Sequence, residues 1–373
     1  MEKTGNMNKF LTLAAGGAVL LALVAPSAAQ AQTMSFEEYN PPSTLVVPEH
    51  VTLRAKYPFI DVHSHHWRMA TQDLEQLRRE MDDLNMGIIV NLSGRTGDEL
   101  KAMTDHIAEA EQPKRYVVFA NVNFEGIGEP GWGERAAAQL EADVNNGAVG
   151  LKIYKSLGLS TVDVEGERVP VDDPRIAPVW EKAGALGIPV LIHSADPAPF
   201  WQPHDEENER WLELKTHPRR QRGPENPAPW EQIIAEQHRM FKRHPNTTFI
   251  NAHFGWYANN LGHLGELLDE IPNMMVEFGA VIAELGRQPN HAHDFFVKYQ
   301  DRILFGKDAY HPEEYPTYFR VLETNDEYFP YYKKYHAFWA MYGLNLPDEV
   351  LKKIYYKNAL RIIPRLDSSL FPE

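Results

Sequence analysis

Histidine and aspartate side chains recur at the ends of short apolar segments in this sequence. His63 and His65 form a His-x-His pair after the first segment, and His193, His253 and Asp308 end later ones. Alternate side chains of an extended strand share one face, so His63 and His65 point the same way. Imidazole nitrogens and a carboxylate oxygen suit Zn²⁺, and Fe²⁺, Mn²⁺ and Co²⁺ also accept them. Alone, the His-x-His pair is also typical of polar residues at a strand end. Together with the histidines and the aspartate that end other segments, it predicts a divalent metal site.

Lys152 lies in a further apolar segment, residues 148–154. If Leu151 and Ile153 pack outward, alternation predicts that the Lys152 side chain points inward. A buried lysine needs a partner or loses its charge. The predicted roles are to orient a substrate, to pair with Asp308, or to carry CO₂ as a carbamate that bridges two metal ions. A lysine that reaches solvent is the alternative.

Three polar residues close to these groups in the sequence are candidates for substrate contact. They are His66, Tyr154 and His311. His66 also has a structural interpretation, and His311 has that of a loop residue. His238, which follows a long polar segment, is interpreted as solvated.

Eight short β-branched or apolar segments are predicted as strands, and helical patterns separate them. The predicted strands are 57–62, 87–92, 115–122, 148–154, 188–193, 247–252, 273–278 and 302–307. Continuous apolar runs favour parallel strands that are covered on both faces. Between the first two strands, apolar residues recur at steps of three and four and predict one buried helix face. This face consists of Leu74, Leu77, Met81 and Leu84.

Eight strand–helix repeats predict an α/β fold of the (β/α)₈ TIM-barrel type over residues 57–373. An open, doubly wound sheet is the alternative. A long polar insertion, 196–231, follows strand five on the face where barrel active sites are built. The tail from residue 312 is aromatic-rich, and its helical C-terminal extension is predicted to begin near Pro347.

The N-terminus has the three-part pattern of a secretory signal peptide over residues 1–31. Lys3 and Lys9 precede an apolar run, and a small-x-small site ends at Ala31. An uncleaved N-terminal anchor is the alternative. Residues 32–56 are predicted as an extended lead-in. We therefore expect an exported protein, periplasmic or secreted, without stable membrane insertion after cleavage.

Composition excludes several classes of partner and chemistry. The 373 residues carry a formal charge of −15, which argues against nucleic acid as a partner. The absence of cysteine excludes disulfides, thiolate metal sites and cysteine nucleophiles. The expected partner is a small-molecule substrate, and a homo-oligomer is compatible with the sequence.

The order of these residues resembles the amidohydrolase superfamily. The segments DVHSH (61–65) and GIPVLIH (187–193) and the closing pair 358–359 resemble its amidohydrolase-related branch, the amidohydrolase-2 type. That branch includes decarboxylases similar to aminocarboxymuconate semialdehyde decarboxylase. The resemblance covers roughly residues 57–363 and is specific for the superfamily, not for a substrate.

The resemblance implies a role for each residue. His63, His65, His193 and Asp308 would hold the metal, and Asp308 would take a proton from water. His253 would lie beside the metal, either as a ligand of a second ion or as the group that polarises the substrate carbonyl.

Three functions follow as alternatives from the residues and the resemblance. The first is metal-dependent hydrolysis of a small amide, lactone or ester. The second is non-oxidative decarboxylation of an aromatic or enolic acid. The third is binding of a metal or small molecule without catalysis. Lys152 favours hydrolysis, because binuclear hydrolases of the superfamily use a lysine there as a metal ligand and decarboxylase-like members generally lack one.

Overall fold

The computed structural model describes residues 33–35, 37–225 and 227–372. The predicted signal peptide, residues 1–31, lies outside these residues. The chain divides into a unit that ends at Pro41 and a unit that begins at Pro42. Within the described part of the chain, no helix combines the length and the apolar character needed to cross a membrane.

Residues 42–58 contain neither helix nor strand. They overlap the predicted lead-in, 32–56, and the first strand begins at Phe59. Ala55 N donates a hydrogen bond to Leu84 O (3.1 Å). This contact attaches the end of the segment to the first helix of the barrel.

Eight parallel strands pair in sequence order, with β9 and β10 in a separate antiparallel pair. The bounds are β1 Phe59–Ser64, β2 Met86–Asn91, β3 Tyr116–Asn121, β4 Gly150–Ile153, β5 Val190–Ile192, β6 Phe249–Asn251, β7 Met274–Glu277, β8 Ile303–Leu304, β9 Phe329–Pro330 and β10 Ala340–Met341. Every residue of β4 to β7 is buried, as continuous apolar runs in a parallel sheet predict. The register aligns Leu151 with Val190, Val190 with Phe249, and Phe249 with Met274.

Hydrogen bonds between β1 and the segment that follows β8 nearly close the barrel. Val62 N donates to Phe305 O (2.9 Å), and Asp308 N donates to His63 O (2.6 Å). Ser64 and Asp308 form an additional parallel bridge. The predicted (β/α)₈ barrel is confirmed. The alternative of an open sheet is wrong, because the first and last strands of an open sheet are not hydrogen-bonded to each other, whereas here they are joined.

Helices connect the strands and cover the outer surface of the barrel. The bounds are α1 Leu74–Leu84, α2 Gly97–Ala108, α3 Trp132–Asn145, α4 Ser156–Leu159, α5 Ala177–Ala185, α6 Trp211–Thr216, α7 Trp230–Arg243, α8 Leu261–Glu270, α9 Ile282–Gly286, α10 Pro289–Lys298, α11 Tyr315–Glu323, α12 Asp348–Lys352 and α13 Asn358–Ile362. Helix α1 begins where the Asp73 side chain accepts a hydrogen bond from Gln76 N (2.9 Å). Its four predicted core residues are all buried, which confirms the predicted helix face.

The insertion lies between β5 and α7 and carries α6. Its predicted range, 196–231, extends slightly too far, because α7 already begins at Trp230. The indole groups of two tryptophans stabilise the insertion, one from within it and one from α7. Trp201 Nε1 donates to Ala228 O (2.9 Å), and Trp230 Nε1 donates to Asp196 O (2.9 Å).

The C-terminal extension packs against the barrel beside β8. Its first helix, α12, begins at Asp348, close to the predicted start. A π-helical turn, Lys353–Lys357, separates α12 from α13. Phe305 N, just after β8, donates to Ile354 O in this turn (3.1 Å). The widened turn thus provides the carbonyl that accepts a hydrogen bond from the backbone N–H just after β8.

The interpretation of His238 as a solvated histidine is wrong. Its Nε2 atom is buried and has no hydrogen-bond partner among the described residues. The ring lies 6.3 Å from the ring of Tyr257 and 6.4 Å from that of Phe241. Burial lowers the pKa of His238 to about 4.

Candidate metal centre

His63, His65 and Asp308 meet at the carboxyl edge of the barrel, where β1 and β8 end. The Nε2 atoms of both imidazoles lie 3.5 Å from Oδ1 of Asp308. The two rings are 5.3 Å apart, as expected for alternate residues on one side of a strand. His63 is fully buried, whereas 34% of the Asp308 side chain is exposed. A molecule from solvent therefore reaches the cluster on the Asp308 side.

His253 and His193 continue this cluster along the barrel edge. The ring of His253 lies 5.1 Å from that of His63 and 4.3 Å from that of His193. Nε2 of His253 is 3.2 Å from Nδ1 of His193. Four histidines from three strands therefore form a continuous row of rings.

Hydrogen bonds define which ring nitrogens remain free. Nδ1 of His253 lies 2.6 Å from Gly279 O, which only accepts, so Nδ1 carries the proton. Nε2 of His253 therefore accepts from His193 Nδ1, which leaves His193 Nε2 without a proton. That atom and His63 Nε2 are buried with no hydrogen-bond partner among the described residues. The ligand atoms of His63, His65 and Asp308 lie within 4.8 Å of one another and fit a divalent metal, whereas His193 is outside this group.

Burial favours the neutral form of His63, His65 and His193. It lowers the pKa of His65 to about 4, and the charge of Lys152 acts in the same direction. The pKa values of His63 and His193 are also lowered, mainly by burial. Burial alone would raise the pKa of Asp308, but the positive charge of the surrounding imidazoles and of Lys152 in their protonated forms lowers it below its ordinary value. A neutral imidazole and an ionised carboxylate are the forms that bind a cation.

Glu277, at the end of β7, is a site residue that the sequence analysis missed. Its Oε1 atom lies 2.8 Å from His63 Nδ1 and accepts a hydrogen bond from His253 N (2.9 Å). Gly279 N donates to its other oxygen (2.6 Å). The carboxylate fixes the proton of His63 on Nδ1 and so turns the free Nε2 toward Asp308. A lone glutamate at the end of the apolar run NMMVE was the available signal.

Asp61 fixes the backbone beneath the cluster and was also missed as a site residue. Its Oδ1 accepts from His63 N (2.9 Å) and from Lys307 N (3.2 Å). Its Oδ2 accepts from the Tyr315 hydroxyl (2.6 Å). Burial raises the pKa of Asp61 to about 7, although these hydrogen bonds oppose the shift. Asp61 therefore joins the ends of β1 and β8, which present His63 and Asp308.

Left-handed backbone conformations concentrate where strands β5 to β8 end. Non-glycine residues there with positive φ are Ala195 (56°), His253 (58°), Phe254 (54°), Trp256 (65°), Ala280 (59°) and Asp308 (84°). Each such residue costs roughly 1–2 kcal/mol relative to ordinary backbone. Strain of this kind persists only where surrounding structure imposes it, and it is common at functional sites. Here it sets the direction of His253 and Asp308.

Lys152 lies on β4 and is 1% exposed, so the alternative of a lysine that reaches solvent is wrong. Its amine has no hydrogen-bond partner among the described residues. Burial lowers the pKa of Lys152 to about 8, against the opposing effect of Asp308 and Glu277. An unpartnered buried amine near two carboxylates is available for chemistry or for binding.

The three candidates for substrate contact have different positions. Tyr154 packs its ring 5.8 Å from that of His65, and its hydroxyl donates to Leu92 O (3.0 Å). His66 lies outside the cluster, since its two ring nitrogens contact Ser64 Oγ (3.1 Å) and the Gln72 side chain (3.0 Å). These contacts favour the structural interpretation.

His311 is an exposed loop residue, with 57% of its side chain accessible. Its nearest carboxylate, Glu313, lies 3.7 Å away. This position favours the loop interpretation of His311. Of the three candidates, therefore, only Tyr154 has its ring against the cluster.

A cavity of about 160 Å³ lies against the row of histidines. His193, His253 and Asp308 form its floor. Its wall comes from the insertion, including Arg220, and from the segment 333–336. The insertion was predicted on this face of the barrel, whereas the contribution of the later segment was not predicted.

Comparison with known families identifies the chain. A family model described as Amidohydrolase (Amidohydro_2) matches residues 60–365. The chain belongs to this amidohydrolase family. Its members are metal-dependent enzymes, in agreement with the predicted resemblance. No curated protein matches the chain at the sequence level.

Solved structures of similar fold share little sequence with this amidohydrolase. An uncharacterized TIM-barrel protein from Bordetella bronchiseptica is 17% identical, with 83% of this chain and 99% of that chain covered and a TM-score of 0.52. A putative amidohydrolase from Staphylococcus aureus is 17% identical, with coverages of 82% and 99% and a TM-score of 0.50. A dihydroxybenzoic acid decarboxylase from Polaromonas, solved with manganese and 2-nitroresorcinol, is 15% identical, with coverages of 82% and 96% and a TM-score of 0.50. At these identities the similarity supports the fold alone.

Proposed function

We propose that this amidohydrolase is a metal-dependent hydrolase of a small ester, lactone or amide. The supporting observation is the convergence of free imidazole nitrogens on the ionised carboxylate of Asp308. The ligands would be His63, His65, His193 and Asp308. A divalent ion bound by them would act as a Lewis acid and lower the pKa of water from about 16 toward 7.

The protein groups would then move one proton. Asp308 would accept it from the attacking water and deliver it to the leaving group of the substrate. His253 was predicted either to bind a second ion or to polarise the substrate carbonyl, and the second role requires a proton on Nε2. Its contact with His193 Nδ1 (3.2 Å) instead favours a role in orienting His193. Glu277 would orient His63 in the same way.

Zinc is the proposed metal, with Mn²⁺, Fe²⁺ and Co²⁺ as the alternatives that this ligand set accepts. The partnerless amine of Lys152 is compatible with a carbamate that bridges a second ion. Elemental analysis of the wild type and of Lys152→Arg tests this proposal. Two ions in the wild type and fewer in the variant would support the carbamate, whereas equal contents of one ion would establish a mononuclear site.

Decarboxylation is the second candidate, because a protonated Lys152 without a partner would attract a substrate carboxylate. The two reactions differ in their products. Turnover of esters, lactones, amides and aromatic acids in H₂¹⁸O would place ¹⁸O in the product of a hydrolase. Release of CO₂ with no ¹⁸O in the organic product would identify a decarboxylase. Metal binding without either product would support a non-catalytic binder.

We also propose export to the periplasm or the medium, since the N-terminal 31 residues have the signal-peptide pattern. N-terminal sequencing of the protein from its native cell should begin at Gln32. A protein that retains these residues would contradict cleavage.

A further inference from the structure

The wall of the cavity carries positive side chains that the overall composition does not predict. The chain has a formal charge of −15. Yet Lys155, Arg210, Arg220 and Lys333 all line this one cavity. An excess of one sign of charge inside a cavity attracts a ligand of the opposite sign.

Part of the positive charge is balanced within the wall. Arg210 donates to Glu213 (2.9 Å) and also pairs with Glu284. Arg220 pairs with the other oxygen of Glu213. Two guanidinium groups therefore face two carboxylates, and these four groups contribute no net charge.

The remaining pairs leave an excess of positive charge. Asp196 is a buried carboxylate, and it accepts from both Lys155 (2.5 Å) and Arg222 (2.8 Å). One negative charge thus faces two positive charges. On this side of the wall, one positive charge is therefore not neutralised by a carboxylate.

Lys333 adds a second uncompensated cation. Among the described residues, no carboxylate lies within ion-pair distance of its amine. The amine lies over the ring of Tyr332, 5.6 Å from the ring centroid. Lys333 is half-buried on the cavity wall, so its ammonium group is partly desolvated. An anionic ligand would compensate for the lost hydration.

We propose that this wall binds a carboxylate of the substrate, with Lys333 as the principal contact and Lys155 as the second. The substrate of the proposed hydrolase would then be a small anionic molecule, with an ester, lactone or amide at the metal centre and a carboxylate at the wall. The inference rests on the proposed function only for the reacting bond.

Binding tests the anion site without any need for turnover. Glutarate and its neutral diamide are titrated into the purified holoprotein at constant ionic strength, and tryptophan fluorescence reports binding because Trp256 lines the cavity. We expect the wild type to prefer glutarate, and Lys333→Met to lower this preference by roughly tenfold, as for loss of a charge-assisted hydrogen bond. The control is Lys334→Met, because Lys334 is exposed and does not line the cavity. Equal binding of both probes by the wild type, or equal losses in both variants, would overturn the proposal.

Turnover separates this proposal from the proposed function. The substrates are 4-nitrophenyl hemiglutarate, which is anionic, and 4-nitrophenyl valerate, which is neutral. We expect Lys333→Met to raise KM for the anionic ester by roughly tenfold, with little change in kcat and none for the neutral ester. If neither ester is hydrolysed but Lys333 controls the preference for glutarate, the anion site stands and the hydrolase fails. If both esters are hydrolysed and Lys333→Met changes neither, the hydrolase stands and the anion site fails.

Discussion

The floor and the wall of the cavity are held by different kinds of interaction. On the floor, His193, His253 and Asp308 follow strand ends, and hydrogen bonds with the backbone and with the buried carboxylate of Glu277 fix them. On the wall, side chains from separate segments pair with one another, as Arg210 of the insertion does with Glu284 of α9. The floor inherits its geometry from the barrel, whereas the wall depends on ion pairs between loops.

This difference separates chemistry from specificity. The floor needs strained backbone at His253 and Asp308, which only the surrounding barrel can impose. The wall needs only compatible charges on segments that tolerate substitution and changes of length. Substitutions on the wall should therefore change which molecule binds, whereas substitutions on the floor should remove the reaction.

The largest effect is expected at Asp308. Asp308→Asn keeps the shape of the side chain but removes the charge and the proton acceptor, so kcat should fall by roughly 10²–10⁴-fold. The fold should persist, because backbone hydrogen bonds join this strand end to β1. Steady-state kinetics and thermal unfolding test both statements. His63→Ala should also abolish turnover, and full activity of either variant on an identified substrate would contradict the assignment of these two residues to the metal centre.

On the wall, the largest expected effect is on stability. Arg210→Met leaves the buried carboxylate of Glu284 without its ion pair and leaves Glu213 with Arg220 as its guanidinium partner, which costs about 3–5 kcal/mol for a broken buried pair. The matched control is Arg239→Met, which breaks an exposed pair with Asp172 and should cost about 0–1 kcal/mol. Urea unfolding measures both free energies. Similar small losses in the two variants would show that the wall does not depend on its buried ion pairs.

A substitution at Glu277 tests whether metal binding depends on the orientation of His63 as well as on the ligands themselves. Glu277→Gln retains the size of the side chain but removes the charge that holds the proton of His63 on Nδ1. We expect metal affinity to fall by roughly 10–100-fold, as for other partners that orient a metal ligand. Competition with a chelator measures this affinity. Glu270→Gln, at the end of α8, is the control, and equal affinities in all three proteins would remove Glu277 from the positioning role.

The same contrast explains what the sequence could predict. The barrel and the row of histidines follow from local patterns, because apolar runs define strands and their last residues define the rim. The pairing of Glu277 with His63 joins residues 214 positions apart, and no local spacing signals such a contact. The same holds for Arg210 and Glu284, which are 74 positions apart. Chemistry at strand ends was predictable, whereas the partners that tune it required the three-dimensional structure.

The smallest effect concerns a histidine that belongs to neither region. The pKa of His238 is about 4 in the folded protein, against an ordinary value of 6.5, because the ring is buried. Between these pH values the unfolded chain binds more protons, so stability falls as the pH decreases from 6.5 toward 4. His238→Phe should remove up to about 1.4 kcal/mol per pH unit of this dependence. Urea unfolding at pH 5 and pH 7 measures the change, with His204→Gln, at an exposed position, as the control. If His238→Phe leaves the dependence unaltered, the acid sensitivity arises at the metal centre, where burial also lowers the pKa values of His63, His65 and His193.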